Sequence, residues 1–121
     1  MQVRELTVMV GSAQPDALAA VYQDVLGLPR VAKYQDPVFE AGGGFIRILR
    51  HSEIQGRSNE PSRVQLNLFV DDVRKEYTRI QAQGVRFVRA PAEESWGGIV
   101  ATMEDPDGNF VQLIQEPASG A

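Results

Sequence analysis

The fold follows from residues 64–73, VQLNLFVDDV. Valine and leucine occupy alternate positions from Val64 to Val70. The intervening side chains are those of Gln65, Asn67 and Phe69. A period of two is typical of a β-strand with one apolar face. This stretch therefore predicts a strand that shows its apolar residues to one side and mixed residues to the other.

A helix is predicted directly after this strand. Asp71-Asp72 are residues of the type that cap a helix N-terminus, and Gly84 is of the type that ends one. The apolar residues between them are Val73, Tyr77 and Ile80. Their spacing predicts an amphipathic helix.

The start of the chain has the same pattern. Residues 3–10 alternate as a strand does, and an amphipathic helix is predicted from Pro15 to Gly27. Three further strand-like runs follow the helix in each half, at 31–34, 38–40 and 45–49 and again at 85–88, 99–103 and 110–114. The chain therefore reads β-α-β-β-β twice, and an internal duplication explains this most simply.

These runs predict an α+β fold of two tandem βαβββ modules within a single domain, residues 1–121. Module 1 spans about 1–51 and module 2 about 63–116. The polar, breaker-rich residues 52–62 form the predicted linker between them. We expect the tail, residues 117–121, to be disordered.

One helix for four strands covers only one face of each sheet, so the helices are predicted on the outer face of curved mixed sheets. The residues expected under the helices are Leu6, Val8, Val10, Val64, Leu66, Leu68 and Val70. The residues expected on the opposite, concave face are Glu5, Thr7, Met9, Gln65, Asn67 and Phe69. A mixed, concave cavity of this kind is where a ligand binds.

Composition excludes several classes of protein. The chain has no cysteine, which excludes disulfides, cysteine nucleophiles and cysteine-ligated metal clusters. Its formal charge of −4 argues against nucleic acid as a partner. The apolar runs fall far short of the roughly 20 residues of a membrane span, and residues 1–5 show no export signal. We therefore expect a cytoplasmic protein that binds neither nucleic acid nor membrane.

Four segments in order resemble a known superfamily. They are VYQDVLGL (21–28), LFVDDV (68–73), WG (96–97) and DPDGN (105–109). Together with the duplicated pattern they resemble the vicinal oxygen chelate superfamily, which includes glyoxalase I, bleomycin-resistance proteins and extradiol dioxygenases. The resemblance covers nearly the whole chain. It implies the fold predicted above and a homodimer.

The resemblance also implies a divalent metal, held in metal-dependent members by His or Glu on the first and last strands of each half. The matching positions hold Glu5, Arg47, Gln65 and Gln112, and His51 matches none. One carboxylate and two amides are a poor ligand set for a first-row metal, and Arg47 repels a cation. We expect no cofactor. A divalent metal remains an alternative only if Glu5, Gln65 and Gln112 hold it.

Several site residues have two interpretations. Arg47 is predicted to neutralise Glu5 where the metal of the family would sit. Glu5 is then either a general base near substrate or a solvated strand residue. Gln65 and Gln112 form either a polar clamp for a ligand or ordinary strand amides.

The aromatic residues also have two interpretations. Trp96 is either a packing anchor or a platform for a planar ligand, with help from Phe69 and Phe39. The predicted ligand-binding residues are Glu5, Thr7, Arg47, Gln65, Asn67, Phe69, Trp96 and Gln112.

Three functions are consistent with the sequence. The first is a protein of the glyoxalase/bleomycin-resistance type that binds a small organic ligand and has lost the usual metal site. The second is a lyase, isomerase or dioxygenase-like enzyme, metal-dependent or with Glu5 as base, acting on a small carbonyl or aromatic substrate. The third is a structural module that only dimerises. The sequence leaves open whether the protein is an enzyme.

Overall fold

The computed structural model describes residues 1–118, which contain seven β-strands, two α-helices and one π-helical segment. The strands are β1 (Thr7–Ser12), β2 (Val38–Ala41), β3 (Gly44–Arg50), β4 (Leu66–Phe69), β5 (Phe87–Glu93), β6 (Ile99–Glu104) and β7 (Phe110–Gln115). The helices are α1 (Pro15–Ala20), which continues into the π-helical segment (Val21–Val25), and α2 (Val73–Gln81). Among the described residues, no helix is long and apolar enough to cross a membrane.

The chain divides into two compact units, an N-terminal unit of Met1–Arg57 and a C-terminal unit from Ser58 on. Each unit has its own sheet, of three strands in the first and four in the second. Of the tail predicted to be disordered, residues 117–121, residues 119–121 lie outside the described part of the chain.

In the N-terminal unit the strands are ordered β1-β3-β2, with β1 parallel and β2 antiparallel to β3. A parallel pair needs a crossover, which α1 and the π-helical segment supply. Leu18 and Tyr22 from this crossover are fully buried with Ile48 of β3, and the Tyr22 ring stacks on Phe39 at 6.4 Å between centroids. Burial of each such side chain contributes about 1.5–3 kcal/mol.

The predicted helix between Pro15 and Gly27 is present, but its second half is π-helical. The Leu26 amide donates to the Val21 carbonyl at 2.9 Å, a bond that spans five residues instead of four. Gly27 follows with φ of +72°, the left-handed conformation that ends many helices.

The predicted strand at 31–34 is not formed, so the N-terminal unit has three strands instead of four. A single bridge between Arg30 and Phe39 takes its place. The Val31 amide donates to the Val38 carbonyl at 2.8 Å, and the chain then turns, with Tyr34 donating back to Val31 at 3.5 Å. Because the chain turns directly after Val31, the segment forms one isolated bridge and not a strand.

In the C-terminal unit the strands are ordered β4-β7-β6-β5, with β4 parallel to β7 and the other pairs antiparallel. Asp72 caps α2, because its side chain accepts the Lys75 amide at 3.1 Å. The Asp105 carboxylate accepts the amides of Asp107 and Asn109, both at 2.9 Å. These bonds form the turn before β7 that the sequence predicts at 105–109.

Both units place their first and last strands side by side and parallel, which agrees with the predicted duplication. The predicted α+β class with two mixed sheets is confirmed. The burial predicted for Leu6 and Val64 is wrong, since each is 69% exposed. They precede Thr7 and Leu66, where the strands begin, whereas Val8 and Leu66, within the strands, are half-buried.

Candidate functional site

A pocket of about 160 Å³ lies in the N-terminal unit. It is lined by Glu5, Thr7, Val31, Lys33, Tyr34, Val38, Phe45 and Arg47. Three of these residues, Glu5, Thr7 and Arg47, are predicted site residues. The rest come from β2, β3 and the segment 30–37, which forms one wall.

The pocket residues meet because of strand register. Thr7 is paired with Phe45 across the parallel ladder, and Val38 with Arg47 across the antiparallel one. Paired residues show their side chains on the same face of a sheet. Alternate residues of β3, such as Ile46, are buried on the other face. The sheet therefore separates a core face from a ligand-accessible face.

Glu5 lies just before β1 and is held by its neighbour on the same side of the chain. The Thr7 hydroxyl Oγ1 donates to Glu5 Oε2 at 2.5 Å. In the described part of the chain Glu5 has no ion-pair partner. Its other carboxylate oxygen is therefore available to a ligand that donates a hydrogen bond.

Arg47 does not pair with Glu5, so that prediction is wrong. Its Nη2 donates to Asp36 Oδ2 at 2.5 Å instead. The turn of the segment 30–37 brings Asp36 beside β3. The two side chains are 42% and 45% exposed, and ion pairs this exposed contribute about 0–1 kcal/mol. Arg47 Nε is buried and has no hydrogen-bond partner.

The sequence-based predictions of the site lack five of the lining residues, Val31, Lys33, Tyr34, Val38 and Phe45, and also lack the neighbouring Asp36. Lys33 and Tyr34 line the pocket, with the Lys33 ammonium 5.1 Å from the centre of the Tyr34 ring, and Asp36 holds Arg47. Asp36 precedes Pro37, and a residue before proline is biased away from helix and often lies in a turn. That signal indicates a loop, but it does not indicate which strand the loop covers.

Two of the predicted polar residues of the C-terminal unit, Gln65 and Gln112, donate local side-chain hydrogen bonds. Gln112 Nε2 donates to Thr102 Oγ1 at 3.3 Å, and Asn67 is paired with Gln112 across β4 and β7. Gln65 Nε2 donates to the Ser62 carbonyl at 3.1 Å, whereas its Oε1 is buried without a partner. Asn67 and Gln112 are therefore neighbours on one face of this sheet.

The aromatic residues differ in exposure. Phe69 is 62% exposed and Trp96 is 52% exposed, whereas Phe39 is fully buried against Tyr22. The prediction that Phe39 helps to stack a ligand is therefore wrong. The Trp96 ring lies on Gly98, where a Cβ atom would come 1.9 Å from Trp96 Cζ3.

The hairpin that carries Trp96 also holds an ion pair. Arg89 Nη1 lies 2.5 Å from Glu94 Oε1. The hydrogen bond from Arg89 lowers the pKa of Glu94, and the same bond raises the pKa of Arg89. This pair bridges β5 and the turn that leads into β6.

The donor set does not fit a first-row transition metal. In the N-terminal unit Glu5 is the carboxylate at the pocket, with the cations Lys33 and Arg47 beside it. In the C-terminal unit the matching positions are the amides Gln65 and Gln112. No cluster of three His, Cys, Asp or Glu able to hold a metal occurs within residues 1–118.

Comparison with known proteins agrees with the fold. The family model described as the Glyoxalase/Bleomycin resistance protein/Dioxygenase superfamily matches residues 6–113. An uncharacterized protein of Shewanella frigidimarina is 45% identical over 53 residues, which is 44% of this chain and 38% of that protein. The chain thus matches well under half of that relative's length.

Solved structures of similar shape cover almost the whole chain. Lactoylglutathione lyase from Agrobacterium tumefaciens has a TM-score of 0.74 at 22% identity, covering 99% of this chain and 98% of that one. A glyoxalase/bleomycin resistance protein/dioxygenase family enzyme from Burkholderia phytofirmans also has a TM-score of 0.74 at 22% identity, covering 90% and 95%. At these identities the likeness concerns the fold alone.

Proposed function

We propose that this chain, which belongs to the Glyoxalase/Bleomycin resistance protein/Dioxygenase superfamily, binds a small organic molecule in the pocket of its N-terminal unit and has lost the usual metal site of the family. We also propose that the protein is cytoplasmic, acts as a homodimer and has no nucleic-acid or membrane partner.

The observation that carries the proposal is the composition of the pocket wall. Apolar and aromatic side chains, among them Val38 and Phe45, adjoin a few polar groups that include Glu5 and Arg47. Small-molecule sites combine an apolar lining with a few oriented polar groups in this way.

Binding is tested by recording amide spectra of the ¹⁵N-labelled protein while a library of neutral, anionic and cationic fragments is added. We expect the resonances that shift to cluster at Thr7, Tyr34, Phe45 and Arg47. A library without a binder, or binders that shift only other residues, would contradict the proposed site. The Phe45→Ala variant removes part of the apolar wall and should weaken every pocket binder.

Metal loss is tested by measuring the metal content of tag-free protein that has been offered Mn, Fe, Ni and Zn. Because Lys33 and Arg47 adjoin the only carboxylate of the pocket, we expect far less than one equivalent per chain. A stoichiometric metal would contradict this part of the proposal. Glu5, Gln65 and Gln112 would then be the first candidate ligands.

A second candidate function is metal-free isomerisation, which the free oxygen of Glu5 favours. Glu5 would accept a proton from a carbon next to a carbonyl and return it at another position, which needs no further reactant. Exchange of that carbon-bound hydrogen with deuterium from solvent would support this candidate. Exchange at the same rate with Glu5→Gln would contradict it.

A further inference from the structure

We propose that the ligand of the pocket is a small planar carboxylate. Lys33 and Arg47 hold its anionic group, and its ring lies against Tyr34 and Phe45. This inference rests on the proposed function, because it names the chemical class of the molecule that the pocket binds.

The first argument is the balance of charge. The lining carries two cations, Lys33 and Arg47, and one carboxylate, Glu5. Asp36 takes one guanidinium nitrogen of Arg47, whereas Lys33 forms no ion pair in the described part of the chain. Lys33 is therefore a cation without a counter-charge at the edge of the pocket, and an anionic ligand supplies one.

The second argument concerns the donors that Arg47 keeps. A guanidinium has five N–H donors, and Asp36 accepts from Nη2 alone. Nε is buried and unbonded, so it faces protein. The remaining donors belong to a side chain that is 42% exposed, and a ligand can reach them from the pocket. An arginine that is already anchored by one carboxylate loses little freedom when it binds a second one.

The third argument is the shape and chemistry of the walls. Val31, Val38, Tyr34 and Phe45 give apolar surface, and Tyr34 is 40% exposed. A volume of about 160 Å³ lies below the ~300–1,000 Å³ typical of sites for drug-sized ligands. The pocket therefore suits one ring with a short charged group.

Glu5 limits the ligand further. Because Thr7 donates to Oε2, the other oxygen accepts from a donor on the ligand, such as a ring hydroxyl. A cationic ligand would be attracted by the Glu5 carboxylate but repelled by the charges of Lys33 and Arg47. Because Asp36 already neutralises part of the charge of Arg47, the preference for an anion comes mainly from Lys33, which has no ion-pair partner among the described residues.

The test compares three probes of nearly equal shape, benzoate, benzamide and benzamidine, titrated into the ¹⁵N-labelled full chain. We expect benzoate to bind about fivefold to tenfold more tightly than benzamide, because its carboxylate accepts charge-assisted hydrogen bonds from Lys33 and Arg47. Benzamidine should bind most weakly. Added salt should reduce the preference for benzoate, as for any partly exposed ion pair.

Two lysine variants separate a local effect from a general one. Lys33→Gln removes the ammonium at the pocket, and we expect it to reduce benzoate affinity about threefold to tenfold while benzamide affinity changes little. Lys75→Gln is the matched control, because Lys75 is an exposed residue of α2 in the other unit. Lys33 is exposed as well, so its replacement should leave the fold intact.

The outcomes distinguish this inference from the proposed function. Benzamide or benzamidine binding as tightly as benzoate in the pocket would overturn the carboxylate and leave the proposed function standing. Equal losses in Lys33→Gln and Lys75→Gln would overturn the role of Lys33. If benzoate does not bind but other fragments of the library shift the resonances of pocket residues, the inference of a carboxylate ligand is contradicted and the proposed function stands. If nothing binds, both fail.

Discussion

At the scale of single residues, the close approach of Trp96 to Gly98 in the C-terminal unit restricts which residue can occupy position 98. Trp96 lies over Gly98, and only a hydrogen atom separates its ring from the backbone there. The backbone of Gly98 also approaches the Gln115 carbonyl, which a Cβ atom would meet at 2.8 Å. This packing partly orders the ring of Trp96, although 52% of the residue stays exposed.

Gly98→Ala should destabilise the protein by about 1–3 kcal/mol, the usual range for overpacking. The added methyl group meets the Trp96 ring and the Gln115 backbone, and backbone does not move aside. Urea unfolding followed by circular dichroism measures the change, and the fluorescence of the single tryptophan reports the ring.

The matched control for this substitution is Gly44→Ala. A Cβ atom at Gly44 makes only ordinary contacts, at 3.6 Å from the Leu6 carbonyl and 3.7 Å from the Ala41 carbonyl. We expect a much smaller loss of stability there. Equal losses at both positions would show that Trp96 does not pack on Gly98.

At the scale of elements, each unit has one connection that matters here: the segment 30–37 in the N-terminal unit and the hairpin between β5 and β6 in the C-terminal unit. The segment 30–37 covers one end of the ligand-accessible face of β3. Backbone hydrogen bonds close the hairpin between β5 and β6. The Glu94 amide donates to the Gly98 carbonyl at 2.7 Å, and the Gly97 amide donates to the Glu94 carbonyl at 2.8 Å. Arg89 adds an ion pair to the same hairpin.

Arg89→Gln should raise the pKa of Glu94 towards its ordinary value, because the hydrogen bond from Arg89 is the main cause of its depression. A depressed carboxyl pKa contributes stability above the pKa of the unfolded chain, about 4.3 for Glu. That contribution is lost as pH falls through the folded pKa. The hairpin should therefore be less well ordered in acid.

The measurement is a ¹³C-detected pH titration of the Glu94 carboxyl. Arg86→Gln is the control, since Arg86 faces Glu104 at 3.8 Å and leaves Glu94 untouched. A Glu94 pKa that stays depressed in Arg89→Gln would assign the shift to another group.

At the scale of the whole molecule, each unit exposes large apolar side chains. Met9 is 58% exposed in the N-terminal unit, and Val64 and Phe69 are 69% and 62% exposed in the C-terminal unit. Single exposed apolar residues are ordinary, but clusters of them often mark contact surfaces. The proposed homodimer would cover such residues.

Sedimentation equilibrium of the tag-free chain should therefore give about twice the chain mass of 13.3 kDa. Dilution should shift the distribution towards the monomer, because association follows mass action. A single species of one chain mass at every concentration would contradict the homodimer.

Much of the fold could be predicted because it depends on local pattern. The strand within residues 64–70, which is present as Leu66–Phe69, the Asp72 cap and the turn at 105–109 each depend on a few adjacent residues. The prediction at 31–34 is wrong because Val31 and Tyr34 are residue types common in strands, whereas the chain turns directly after Val31, with the Tyr34 amide donating back to the Val31 carbonyl.

The pattern of residues is enough to predict the class of fold, the duplication and the face on which Glu5 and Thr7 lie, and the family resemblance adds Arg47 as a candidate at the same site. The period of two along a strand is a property of neighbouring residues, whereas the register that places Thr7 beside Phe45 is a relation between distant strands. The pairing of Arg47 with Asp36 and the contribution of Lys33 and Tyr34 to the pocket follow from the folded structure alone. Such contacts depend on where a loop returns to its sheet, and spacing along the chain does not encode that distance.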